Sequence, residues 1–110
     1  LEIVAGGINK NETSKKAIIR EINEELGVKV ISVKKIDSLI IAPDCLEEIT
    51  DLYFAEVPII QNFEINNPAE GEFIKIIKLN KKEIKEQLNK KRPQNIITKF
   101  AFLKILETKI

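Results

Sequence analysis

The 110-residue chain contains no histidine, no methionine and no tryptophan, and it has one cysteine, four glycines and four prolines. Without histidine the usual zinc sites and the side chain that titrates nearest neutrality are both missing. Proton transfer and metal binding therefore fall to carboxylates. With Cys45 as the single thiol, an internal disulfide is excluded, which suits the cytoplasm. No histidine is present to activate it, so Cys45 reads as a buried or loop thiol rather than a nucleophile. Five phenylalanines and one tyrosine do not form a base-stacking pattern. Eighteen basic and seventeen acidic residues are interspersed, for a net charge of +1, and only the stretch 81–92 is locally basic. Solvated helical lysines explain that stretch, and no nucleic-acid partner is expected. There is no run of eighteen apolar residues and no leader of charged, apolar and small residues, so neither membrane insertion nor secretion is expected.

What the chain does have is enough apolar content, 44%, for a core, with 32% charged residues around it. That fits one soluble domain spanning residues 1–110. Leu1-Glu2-Ile3-Val4 reads as a strand feeding a glycine loop. Residues 28–41 read as extended, with an interruption near Lys34-Lys35, and residues 49–57 form the next strand, closed by Pro58. A loop from Ile59 to Gly71 carries the turn signals Asn66-Asn67-Pro68 and Glu70-Gly71, and Phe73 to Leu79 is the following strand. Asn80 can cap a helix to about Asn89, and Pro93 restarts the chain into a final amphipathic helix. This order implies mixed α/β layers.

The most informative stretch is 6–28. Thr13 or Ser14 can cap a helix over about 14–26, Glu12 lies near its exposed N–H groups, and Gly27 supplies a left-handed stop. At 100° per residue, Glu21, Glu24 and Glu25 share an arc with Ala17, while Ile18, Ile22, Leu26 and Ile19 fill the neighbouring arc. One side is core and the next is carboxylate. Like charges at i and i+4, Glu21 and Glu25, cost a few tenths of a kcal/mol. Acids in the last turn oppose the helix dipole by roughly 0.3–1 kcal/mol each. A solvated charged face partly neutralised by Arg20 and Lys16 would account for a lone Glu-x-x-Glu-Glu. A hard divalent cation such as Mg²⁺ or Mn²⁺, which takes oxygen ligands and is served by a few carboxylates plus substrate phosphates, accounts for the electrostatic cost as well.

The full spacing favours the cation. Gly6, Glu12, Arg20-Glu21, apolar Ile22, Glu24-Glu25, Gly27 and apolar Val28 meet every defined position of the signature of the Nudix hydrolases, and the chain resembles that family. The resemblance implies a Nudix-type α/β/α sandwich with a mixed sheet. It implies that Glu21, Glu24 and Glu25, joined by the backbone carbonyl of Ala5, bind the metals bridging a diphosphate, with Glu24 also counted in the catalytic set. It makes Glu12 and Arg20 a structural pair holding the loop on the helix, with Gly6 and Gly27 supporting the site. The family normally has further strands before this motif, so the numbered chain is expected to be N-terminally incomplete and to need a partner strand.

Flanking residues are similar to the ADP-ribose pyrophosphatase branch. Glu2-Ile3-Val4-Ala5-Gly6 resembles a Glu-x-Pro-Ala-Gly lead-in, with Val4 in place of proline. Ala42-Pro43-Asp44-Cys45-Leu46-Glu47-Glu48 resembles a Ser-Pro-Gly-x-x-Asp-Glu loop, with Ala42 for serine and Asp44 for glycine. Pro43 and Glu48 are the substrate-binding candidates this implies. Glu70-Gly71-Glu72-Phe73-Ile74 resembles an acidic loop that often supplies the catalytic base, which makes Glu70 or Glu72 the group that deprotonates water. The implied activity is Mg²⁺- or Mn²⁺-dependent hydrolysis of a nucleoside diphosphate sugar such as ADP-ribose by a cytoplasmic homodimer. A nucleoside triphosphate pyrophosphohydrolase would share the motif without needing the Pro43 loop. A non-catalytic nucleotide-binding module is the third alternative, and the intact acidic stripe argues against it.

Overall fold

A computed structural model of the chain describes residues 1–41, 49–67 and 72–109, with the side chains of 65–67 and 72–74 outside that description. It shows a small mixed α/β protein whose described residues divide into two compact units, Val4–Ile76 and a second made of Leu1–Ile3 with Ile77–Ile110.

The first unit holds α1 (Ser14–Leu26) and four strands, β1 (Ser32–Ile40), β2 (Ile49–Glu56), β3 (Glu64–Asn67) and β4 (Glu72–Lys75). Helix α1 begins where the Thr13 side chain accepts the Lys16 N–H and the Thr13 carbonyl accepts the Ala17 N–H, satisfying donors that have no partner inside the helix. It ends at Gly27, whose φ of 67° and ψ of 23° are left-handed and suit a residue without Cβ. Ala17 and Ile22 are its buried residues, and Leu52 of β2 is buried as well.

β1 and β2 form an antiparallel pair running from Ser32 opposite Glu56 to Ile40 opposite Ile49, with a register shift between Lys35 and Asp37. The extra residue there, Ile36, is a β-bulge, which bends the strand and increases local twist. β3 and β4 form a second antiparallel pair, Glu64 opposite Lys75 to Asn67 opposite Glu72, with no ladder to the first among the described residues.

The second unit contains α2 (Lys81–Leu88) and α3 (Ile96–Leu106). Asn80 and Glu83 make a reciprocal capping box at the start of α2, and the Gln94 amide donates to the Gln87, Leu88 and Lys90 carbonyls at its end. Asn95 caps α3 through the Thr98 N–H. Ile84 and Thr98 are buried, and the Thr98 hydroxyl accepts the Ile3 N–H at 3.3 Å. No described helix is long and apolar enough to cross a membrane.

Helices α1 and α2 fall where their periodicity and caps place them, and β1 carries its irregularity beside the expected interruption. Helix α3 follows Pro93 as expected but is not amphipathic, since apolar residues lie all round it and Thr98 is its buried residue. Leu1–Val4, expected as a strand, is not one here. β3 lies inside a segment expected to be loop, and β4 ends at Lys75, short of the expected Leu79. Gly27 has nothing within 4 Å of the position a Cβ would take, so its conformation alone decides what it tolerates. Gly27→Ala is expected to destabilise the protein by about 1–2 kcal/mol and Gly27→Asn by less. Urea unfolding midpoints check both, and equal stability of Gly27→Ala and the parent would contradict the role of this stop.

Candidate cation and diphosphate site

The chain enters α1 through a tight turn at residues 9–12. The Glu12 N–H donates to the Asn9 carbonyl at 3.1 Å, and the Asn9 N–H donates back to Glu12 Oε1 at 3.0 Å. Asn11 sits in the turn at a φ of 64°, a left-handed conformation that asparagine tolerates better than most side chains. The turn delivers the Glu12 carboxylate to Arg20, two helical turns further on.

Arg20 organises the site. Its guanidinium has five N–H donors, and five acceptor contacts surround it. Nε donates to Glu12 Oε2 at 3.0 Å, and Nη2 donates to Glu12 Oε1 at 3.1 Å and to the Gly7 carbonyl at 2.9 Å. Nη1 donates to Glu21 Oε1 at 2.9 Å and to Glu24 Oε2 at 3.4 Å. The Nε and Nη2 edge thus holds the loop, while Nη1 holds two carboxylates of the helix. The Arg20 hydrogen bond, helped by the Asn9 N–H, keeps the Glu12 carboxyl below the usual glutamate range. Glu12, followed by Glu21, holds the guanidinium in its charged form against the opposing effect of desolvation.

Gly6 fits this arrangement by its size. A Cβ on Gly6 would overlap the Cδ, Oε1 and Cγ atoms of Glu21. Gly6 is not among the positive-φ residues, so space rather than backbone conformation calls for glycine. The Glu21 side chain is 15% exposed beneath the loop, and that of Glu24 is 56% exposed. Ala17, one turn before Glu21 on the same line of the helix, is buried. Glu25 is half-buried on α1, and Ala5 is exposed beside Gly6.

Among the described residues no group of three or more histidine, cysteine, aspartate or glutamate side chains is assembled as a metal cage. Magnesium does not require one, because it is commonly held by one or two carboxylates with water and substrate phosphate completing the shell. The donors fit that pattern. They are hard oxygens, Glu21 and Glu24 already converge on a single cationic nitrogen, and the Gly6 cradle keeps the Glu21 carboxylate close to the loop backbone.

A second cluster, which the sequence reading did not find, ties the start of α1 to the β1–β2 pair. Ser14 Oγ and the Tyr53 hydroxyl lie 2.7 Å apart, Ser38 Oγ donates to Asp51 Oδ1 at 2.8 Å, and Lys35 Nζ is 3.3 Å from the same oxygen. The Asp51 carboxyl is held below the usual aspartate range chiefly by the Ser14 hydroxyl, then by Ser38 and Lys35. Asp51 and Tyr53 at i and i+2 share a strand face. That spacing was the available signal, but the cross-strand partner Ser38 is revealed only by the register.

Pro43, Glu48 and Glu70 lie outside the described residues. Glu72 is placed only as backbone, at the start of β4 opposite Asn67. A cavity of about 320 Å³ lined by Leu1, Glu2, Gln87, Arg92, Thr98 and Phe102, among others, belongs to the helical unit and contains no residue of α1. Comparisons with protein-family models, with curated proteins and with solved structures find no match to this chain.

Gly6→Ala is expected to leave unfolding stability within about 1 kcal/mol, since the overlap is with the Glu21 side chain and not with backbone, and to change the Arg20 guanidinium NMR signals as Glu21 is pushed away. Unchanged signals would contradict the packing of Gly6 on Glu21. A carboxyl with a depressed folded-state pKa stabilises the fold above its unfolded value, about 3.9 for aspartate, and that contribution is lost as pH falls through the folded value. Asp51→Asn should therefore flatten the loss of stability below about pH 4 in denaturation measured across pH, whereas an unaltered acid limb would contradict the coupling.

Proposed function

We propose that the chain is a cytoplasmic Nudix-type pyrophosphohydrolase that cleaves the diphosphate bond of a nucleoside diphosphate sugar such as ADP-ribose, giving a nucleoside monophosphate and a sugar phosphate. The observation that carries this reading is the convergence of Glu21 and Glu24 on one positive centre beneath a loop whose Gly6 leaves room for the carboxylate. An acidic stripe kept only for solubility needs neither the cradle nor the saturated arginine.

Glu21, Glu24 and Glu25, with the Ala5 carbonyl, would hold Mg²⁺ or Mn²⁺. When bound, the ion supplies neutralisation and polarisation of the diphosphate. Glu12 and Arg20 keep the loop against the helix, Arg20 through the Glu12 carboxylate and the Gly7 carbonyl. Glu70 or Glu72 would take the proton from the attacking water, and Pro43 and Glu48 are the proposed substrate-binding residues. The α/β/α sandwich with a mixed sheet, and a homodimer, belong to the same proposal. In its support, β1 and β2 each have one hydrogen-bonded neighbour among the described residues, leaving edges that a further strand can pair.

Incubating the protein with excess Mg²⁺ and a panel of ADP-ribose, other diphosphate sugars and nucleoside triphosphates, with identification of the products, tests this directly. Monophosphate and sugar phosphate are the expected products. Preferential release of pyrophosphate from triphosphates would transfer the chain to the nucleotide-sanitising type, and tight binding without cleavage would make it a binding module. Glu24→Gln and Glu25→Gln should each lower turnover by orders of magnitude with unfolding stability within about 1 kcal/mol of the parent, since surface ion pairs contribute little. Parallel loss of folding and activity would mean that these acids are structural.

A further inference from the structure

We infer that Arg20 is a divided residue, one edge of whose guanidinium is a permanent anchor while the other is a resident counter-ion that an incoming divalent cation displaces. The inference rests on the proposed cation site and specifies how that site is kept before loading.

The division is visible in the acceptors. Nε and Nη2 make a forked pair with both Glu12 oxygens and a bond to the Gly7 carbonyl, all between 2.9 and 3.1 Å. Bidentate geometry of this kind is the stronger form of an arginine–carboxylate contact. Nη1, in contrast, shares its two hydrogens between Glu21 at 2.9 Å and the more exposed Glu24 at 3.4 Å. The oxygens that Nη1 occupies belong to the carboxylates assigned to the cation. Each carboxylate keeps a second oxygen that Nη1 does not use, but an ion lying between Glu21 and Glu24 brings a double positive charge against Nη1, and that repulsion drives Nη1 off them. The fork to Glu12 need not open, and the loop that carries Ala5 and Gly6 stays in place. Arg20 thereby lowers the repulsion among Glu21, Glu24 and Glu12 in the cation-free protein, at the expense of competing with the ion for them.

The sequence has only two arginines, and the other, Arg92, lies in the helical unit. Nitrogen NMR of the arginine side chains in the full chain can therefore follow Arg20 with Arg92 as an internal reference. On titration with MgCl₂ the Arg20 Nη signals are expected to shift or broaden while its Nε–H signal and the Arg92 signals hold. Calorimetry with MnCl₂ on Arg20→Gln is expected to show tighter binding than the parent, on the order of tenfold at low ionic strength, because a competing positive charge has been removed. A residue that only braces the loop would leave affinity unchanged or weaken it. Should Arg20→Gln fail to fold, the parent spectrum decides alone. Cation uptake by the parent with static Arg20 Nη signals, or with unchanged or weaker binding in folded Arg20→Gln, overturns the exchange and leaves the site standing. Absence of uptake by the parent removes the site itself and the exchange with it.

Discussion

The loop before α1 and the acidic side of that helix are arranged around the charge balance at Arg20. Three carboxylates, on Glu12, Glu21 and Glu24, meet one guanidinium whose five N–H groups are all engaged. A helix that keeps acids in its last turn without a basic residue there works against its own dipole. Arg20 offsets part of that cost locally, and it ties the preceding loop to the helix in the same set of bonds. The loop, the helix and the acidic side are therefore one structural element, and a change in any of the three is felt by the others.

Geometry around this hub explains residues that charge alone leaves unexplained. The two glycines of the motif meet different requirements. Gly27 is needed for its left-handed backbone, and Gly6 for the space that Glu21 fills. Asn11 allows the turn that returns Glu12 to Arg20. At the start of α1, the Ser14–Tyr53 contact and the Asp51 cluster hold the helix on the β1–β2 pair. The carboxylates are thus carried by an element fixed at both its loop and its sheet, which is what a site requiring sub-ångström placement of charged groups needs.

The parts of this structure that were legible in the sequence are those set by local chemistry. The limits of α1 follow from Thr13, the 3.6-residue spacing of Ala17, Ile18 and Ile22, and Gly27, and α2 follows from Asn80 and Glu83. The Glu12–Arg20 pairing was expected from resemblance to a known motif, and the two side chains meet in a bidentate contact. Strands depend on partners far away in the chain, and there the reading was weaker. Leu1–Val4 has a strand-like composition but finds no described ladder, whereas Asn66 and Asn67, read as turn residues, end in β3 because they face Phe73 and Glu72. The Asp51 cluster was hidden for the same reason, since the Ser38–Asp51 pairing exists only once the register is set. The assignment of Nη1 to Glu21 and Glu24 depends on side-chain rotamers and could not be read from spacing at all.

The central claim is that the Gly6 loop and the acidic side of α1 together form a place for a divalent cation. Amide NMR of the full chain with trace Mn²⁺ tests this most directly, because paramagnetic broadening falls off steeply with distance from the ion. The account requires early, selective loss of the signals of residues 5–7 and 21–25, reversed by excess Mg²⁺. Uniform broadening, or loss centred on acidic residues elsewhere in the chain, would contradict it.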